Sequence, residues 1–168
     1  LSSTLAAAKA KYIESRHAAY KHASATMSEV LERKISITEW SGRVWYGMED
    51  WGKPYFDWRD IDKRHKEPDR LELAIWSDDR LSALALALTT GQAIMLRFLE
   101  GDPRQDCPLR GMRIAIALET TANYAQARGK KEIRLQPIED KLVDLYENVY
   151  GFVRESPRNG TAYYRKGV

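Results

Sequence analysis

Sixteen consecutive residues, Leu81 to Leu96, carry no charge, and this stretch restricts the chain more than any other. A membrane span needs about 20 apolar residues, and Thr89-Thr90-Gly91-Gln92 breaks this run in its middle. Polar turn residues between two apolar runs are the mark of a hairpin. Leu81–Leu88 and Ala93–Leu99 are therefore predicted as antiparallel strands of a buried sheet. Upstream, Leu71, Leu73 and Ile75 alternate with Glu72 and Ala74, which adds a third strand to the meander. Downstream, Ile114, Ala117, Leu118, Thr121 and Ala125 return to helical spacing within Met112–Arg128, and Gly129 supplies a left-handed stop. Ile133 and Leu135 then alternate with Glu132, Arg134 and Gln136 as a fourth strand. The unit from Ala93 to Gln136 has to be a right-handed parallel crossover, which sets a helix N-terminus beside a strand end. Leu142, Leu145, Tyr146 and Val149 mark a short second helix stopped by Tyr150-Gly151, and Phe152-Val153 and Ala162–Tyr164 read as closing strands.

The first seventy residues follow a different pattern. Ser3 to Lys34 lacks Gly and Pro and places Leu5, Ala8, Tyr12, Ala19, Ala23, Met27, Val30 and Leu31 mostly at helical intervals. This predicts one long amphipathic helix, or two in tandem, capped by Ser2, Ser3 or Thr4. Between Trp40 and Trp58, seven of nineteen residues are aromatic, with Gly42, Gly47, Gly52 and Pro54 among them. An irregular segment that packs the helices onto the sheet is expected. Asp60 to Arg70 is charge-dense and ends near Pro68, so it reads as a polar connection, with the sheet starting at Leu71.

With 168 residues the chain is expected to form one domain, residues 1–168, with 1–70 as a helical and aromatic segment and 71–168 as the core. The balance of 27 Lys and Arg against 24 Asp and Glu is too even to mark a nucleic-acid binder by composition. Cys107 is the single cysteine and cannot close an internal disulfide, and His17, His22 and His65 lack zinc spacing. A cytoplasmic location is the expectation, with no membrane association. No leader-like apolar segment is seen at Leu1–Thr4 and beyond.

Chemistry concentrates at the turn Pro108-Leu109-Arg110-Gly111-Met112-Arg113-Ile114-Ala115. Free N–H groups at a helix start attract anions, and two arginines there are unfavourable by roughly 0.3 to 1 kcal/mol unless an anion neutralises them. A diphosphate would suit the place.

Here the sequence resembles the GCN5-related N-acetyltransferase (GNAT) family, whose pyrophosphate loop reads Gln/Arg-x-x-Gly-x-Gly/Ala. Arg110 matches its first position and Ala115 its last. Ala125–Gly129 and Glu132–Leu135 look like the family's helix end and next strand, and Leu145-Tyr146-Glu147 with Gly151-Phe152 looks like its C-terminal signature. The resemblance spans about Leu71 to Phe152. Arg113 stands where the family loop usually has its middle Gly, Glu139 where Asn is frequent, and one extra residue, Tyr150, precedes Gly151.

The resemblance implies an α+β fold (α/β/α), a GNAT-like mixed sheet with an antiparallel meander and a parallel strand-helix-strand unit after a helical N-terminal segment. It implies acetyl-CoA as cosubstrate, with Leu99, Leu109, Arg110, Gly111, Met112, Arg113, Ile114 and Ala115 as binding residues. It further implies acetyl transfer to a primary amine of a small molecule, peptide or protein, with Tyr146 as general acid. Glu100 or a water relay would be the base, although Glu100 beside Gly101-Asp102-Pro103 reads equally well as a turn residue. Tyr146 by itself, on a stripe with Leu142, Leu145 and Val149, reads as a packing tyrosine. Two other functions fit the same residues. One is a toxin-type acetyltransferase acting on aminoacyl-tRNA, supported by Arg154, Arg158, Arg165 and Lys166; the other is a GNAT-fold binding module without catalysis. A homodimer through the long helix or the last strands is compatible with the pattern, though no heptad specifies it.

Overall fold

The computed structural model describes residues 2–136 and 142–168, the side chains of residues 2 and 3 excepted. In chain order the elements are α1 (Ser2–Leu31), β1 (Ile35–Thr38), α2 (Gly42–Met48), a 3₁₀ turn (Glu49–Trp51), α3 (Trp58–Arg64), β2 (Leu71–Ser77), β3 (Arg80–Thr90), β4 (Ala93–Gly101), α4 (Arg113–Ala127), β5 (Glu132–Leu135), a π-helical turn (Leu145–Val149), β6 (Val153–Glu155) and β7 (Tyr163–Gly167). Seven strands form one mixed sheet in the order β1-β2-β3-β4-β5-β7-β6. All neighbours are antiparallel except β4 and β5, which run parallel across the α4 crossover. The α+β architecture expected from the sequence is present.

The uncharged run owes its composition to burial on both faces. Along β3, Ala83, Ala85 and Ala87 face the α1 and α4 side, whereas Leu84, Leu86 and Leu88 face the aromatic side. Small residues on one face let α1 and α4 lie close to the sheet through Ala19, Ala23, Ile116, Ala117 and Ala125. Leucines on the other fill the space beneath Trp40, Trp51, Trp58 and Trp76. Alternation of side chains across a strand converts a nearly uniform apolar sequence into two differently shaped cores.

Two expectations for the first seventy residues are corrected. The sheet begins at Ile35, not at Leu71, because Ile35–Thr38 pairs with β2. The outer edge of this short strand is satisfied by α1: Ile35 N–H donates to Ser28 Oγ at 3.0 Å and Ile37 N–H to Ser24 Oγ at 3.0 Å. Residues 1–70 thus share the sheet with the rest of the chain. Asp60–Arg70 is not a solvated connection either. Asp57 caps α3 by accepting the Asp60 N–H at 3.1 Å, and Lys63 and Arg64 complement its C-terminal end. Arg70 then gathers the segment inward, donating to Asp62 Oδ1 at 2.6 Å and Glu72 Oε1 at 3.0 Å, while Glu72 also accepts the Trp40 N–H at 2.8 Å.

The expected second helix near the C-terminus is present among the described residues from position 142 and ends in the π-helical turn. Tyr150 N–H bonds back five residues to the Leu145 carbonyl at 3.1 Å. That wide turn absorbs the residue that the sequence comparison counted as extra, so Tyr146 and Phe152 both remain buried. Glu139 lies outside the described residues. No helix among the described residues is long and apolar enough to cross a membrane.

Candidate functional site

The sheet opens between its two parallel strands. Pairing of β4 with β5 stops at Leu96 and Leu135, yet β4 runs on to Gly101 beside β3. Along Arg97–Gly101 one edge of β4 therefore has no strand partner among the described residues, an edge of the kind that can pair with an extended ligand. A bulge sharpens this opening. Ala87 pairs with Leu96 and Leu86 with Phe98, so Arg97 is the inserted residue, and every side chain after it changes face. Leu99 consequently joins the α4 side, and Phe98 the aromatic side. Leu99, Ile114, Leu135 and Tyr146 line the resulting gap. It leads into a cleft of about 400 Å³ bordered by Gly101, Gly111, Arg113 and Leu145.

The turn before α4 supplies that cleft with polar donors. Arg110 N–H closes onto the Cys107 carbonyl at 3.1 Å, and Met112 N–H onto the Leu109 carbonyl at 2.9 Å. Gly111 takes φ +87°, a conformation that favours glycine. The first helical bond is Ile116 N–H to the Met112 carbonyl at 3.2 Å. Among the described residues, the N–H groups of Gly111, Arg113, Ile114 and Ala115 have no acceptor. The sequence expectation of a donor cluster is met there with a narrower set, since Arg110 and Met112 spend their amides on the turn itself. Leu109 is fully buried and anchors the loop with Cys107.

Arg113 has no carboxylate partner among the described residues. Its Nη1 donates to the Asp102 carbonyl at 2.7 Å, and its guanidinium rests where a side chain at Gly101 would be. The loop between β4 and this turn is held by a separate ion cluster. The carboxylate of Asp102 is wholly buried and accepts from Arg80 Nε at 2.9 Å and from Arg104 Nη2 at 2.9 Å, and Arg80 also reaches Asp106 at 2.8 Å. Burial works against ionisation of Asp102, but hydrogen bonds from Arg104 and Arg80 outweigh it and hold the carboxyl below its usual range. A depressed carboxyl stabilises the fold above its ordinary titration range and loses that contribution as pH falls through its native-state value. Stability is therefore expected to decline below about pH 4, and Asp102→Asn should cost about 3 kcal/mol at neutral pH and flatten that acid limb. Chemical denaturation between pH 3 and 7 measures both.

Tyr146 lies at the inner wall of the gap, 1 % exposed, with its ring centroid 5.6 Å from that of Tyr164. Glu100, the other predicted catalytic residue, points to the opposite face. Its carboxylate accepts from Tyr55 N–H at 2.7 Å, Phe56 N–H at 3.1 Å and Trp58 Nε1 at 2.8 Å. It thereby ties the aromatic segment to β4. Beside it, Phe98 packs against Phe56 and His65 with centroids 5.5 and 5.6 Å apart. His65 Nε2 is the buried side-chain nitrogen without a hydrogen-bond partner among the described residues. Sequence reasoning singled out neither His65 nor Phe98; only the bulge, which no local signal announces, turns Phe98, a residue lining the gap, onto the face where His65 packs against it.

Structures of known proteins share this fold. A ribosomal-protein-S18-alanine N-acetyltransferase from Escherichia coli aligns over 78% of this chain and 90% of its own, with TM-score 0.57 and 15% identity. A Bacillus subtilis acetyltransferase in complex with CoA aligns over 78% and 94%, with TM-score 0.54 and 16% identity. The fold is that of the GCN5-related N-acetyltransferases. A PaiA N-acetyltransferase from Thermoplasma acidophilum in complex with coenzyme A covers 80% of this chain and 99% of its own, with TM-score 0.51 and 14% identity. No family model and no curated protein matches the sequence. The GNAT fold is thus recognisable in three dimensions at identities where sequence matching fails.

Proposed function

We propose that the chain is an acetyl-CoA-dependent N-acetyltransferase that acts on a primary amine. The observation that carries this reading is the coincidence, in a GNAT fold, of the parted β4–β5 strands with four amides and two guanidiniums at the start of α4 that have, among the described residues, no acceptor and no carboxylate partner respectively. The amides of Gly111, Arg113, Ile114 and Ala115 would hold the diphosphate, with Arg110 alongside, and the free edge of β4 at Leu99 would hold the pantetheine. Bound acetyl-CoA supplies an activated acyl thioester.

The two faces of the gap divide the proton work. Tyr146, on the α4 side, gives its phenolic proton to the leaving sulfur as a positioned general acid. On the aromatic side the attacking amine has to lose a proton. Glu100, committed to three N–H donors, serves to position the aromatic segment, and His65 takes the base role: an amine lodged against Phe98 would give Nε2 the partner it lacks. An unpaired buried polar atom is costly by about 1–3 kcal/mol, so His65→Phe should leave the melting temperature unchanged or raised. Turnover of whichever amine the wild type acetylates should fall about 100-fold or more. Unchanged turnover would remove His65 from the mechanism.

Calorimetric titration with acetyl-CoA, followed by acetyl transfer to a panel of polyamines, peptides and aminoacyl-tRNA, tests the reading as a whole. Micromolar binding with transfer to a free amine supports it. Transfer to aminoacyl-tRNA alone would favour the toxin-type activity, and binding without transfer would favour a non-catalytic module.

A further inference from the structure

Arg113 occupies the position where a side chain most obstructs a phosphate-binding loop, and the structure contains a compensating vacancy. Gly101 ends β4 directly opposite, and a Cβ there would overlap the Arg113 guanidinium. The arginine folds away from the loop amides, across the cleft wall, and donates one N–H to the neutral Asp102 carbonyl. A guanidinium has five N–H donors, so four lack a partner among the described residues. The neighbouring arginines differ. Arg80 and Arg104 are neutralised by Asp102 and Asp106, whereas Arg113, at the positive end of α4, has no carboxylate partner among the described residues.

We propose that Arg113 is a phosphate ligand of the cosubstrate, stored on the end of β4 until an anion arrives, and that Gly101 exists in this chain to make room for it. The inference rests on the acetyl-CoA reading above. When coenzyme A binds, Arg113 exchanges a neutral carbonyl for a charged phosphate oxygen, a stronger acceptor. The side chain that replaces the loop's usual glycine then adds to binding instead of blocking it. Because only the far end of a flexible side chain meets the added methyl, Gly101→Ala displaces Arg113 and spares the backbone.

The test is calorimetric binding of coenzyme A and of pantetheine, which lacks the phosphates, to the wild type, Arg113→Ala, Gly101→Ala and the double variant, with melting curves to confirm folding. Arg113→Ala should weaken coenzyme A about ten-fold or more, whereas Gly101→Ala, which fills only the resting place of the side chain, should bind it as tightly as the wild type or more tightly. The double variant should bind no more weakly than Arg113→Ala, and pantetheine should bind all four alike. If Arg113→Ala does not fold, Arg113→Gln is read in its place. Coenzyme A affinity within two-fold of wild type, or tighter, in the arginine variant overturns the proposal while leaving the acetyl-CoA reading intact; a wild-type protein that binds no coenzyme A overturns both.

Discussion

Replacing Tyr146 by Phe is expected to lower kcat about 100- to 1,000-fold, the range for loss of a positioned general acid, while coenzyme A affinity changes by less than three-fold. The substitution removes one oxygen and keeps the ring. That ring is buried against Tyr164 beside Leu99, Ile114 and Leu135, so packing of the gap wall persists. Loss of one hydrogen-bonding hydroxyl should cost only about 1 kcal/mol of stability. A tyrosine that merely packs would give a different result, with a small stability change and unaltered turnover. Steady-state kinetics combined with calorimetric coenzyme A binding separates the two, because a proton donor to the leaving sulfur acts in the transition state and contributes nothing to ground-state affinity.

Trp58→Ala should have the largest effect on stability, about 3–5 kcal/mol, or roughly 10 °C in melting temperature for a chain of this size. Trp58 is 1 % exposed and contacts three rings edge-on, with centroids of Trp40 at 5.6 Å, Phe56 at 5.6 Å and Phe98 at 6.5 Å. Its Nε1 also donates to Glu100. Truncation empties the centre of the layer over β3 and β4 and frees the carboxylate that fixes Tyr55 and Phe56. Trp58→Phe should retain most of the packing and lose chiefly the hydrogen bond, about 1–2 kcal/mol. Denaturant unfolding of both variants checks this, and a loss below 1 kcal/mol for the alanine variant would mean that the aromatic layer does not support the sheet as described.

The contrast between these two residues explains what could be read from the sequence. The hairpin, α4 and the parallel strand after it carry strong periodicity because each buries a continuous face, and those elements lie where the pattern put them. Ile35–Thr38 escaped notice because four residues hold too little alternation to register, and its edge is satisfied by hydroxyls on a helix that sequence spacing cannot align with it. α3 was hidden for a related reason: a seven-residue helix with a capping Asp57 looks like the charged linker around it until Arg70 is seen to draw Asp62 and Glu72 inward. That Tyr146 and the turn at Arg110–Ala115 border one cleft was legible because residue type and element order coincide. The direction in which Glu100 points and the packing of His65 on Phe98 could not be read by position, since the bulge at Arg97 decides which face each strand residue meets, and a one-residue insertion leaves no mark in composition or spacing.

On the proposed reading, particular main-chain donors at the start of α4 receive the cosubstrate's diphosphate. Amide nitrogen–proton correlation spectra recorded during coenzyme A addition examine those donors one by one. Large shifts are predicted at Gly111, Arg113, Ile114 and Ala115 and along Arg97–Gly101, with smaller ones at Arg110 and Met112, whose N–H groups already close the turn. Saturating coenzyme A that leaves the four open amides unmoved would contradict the account.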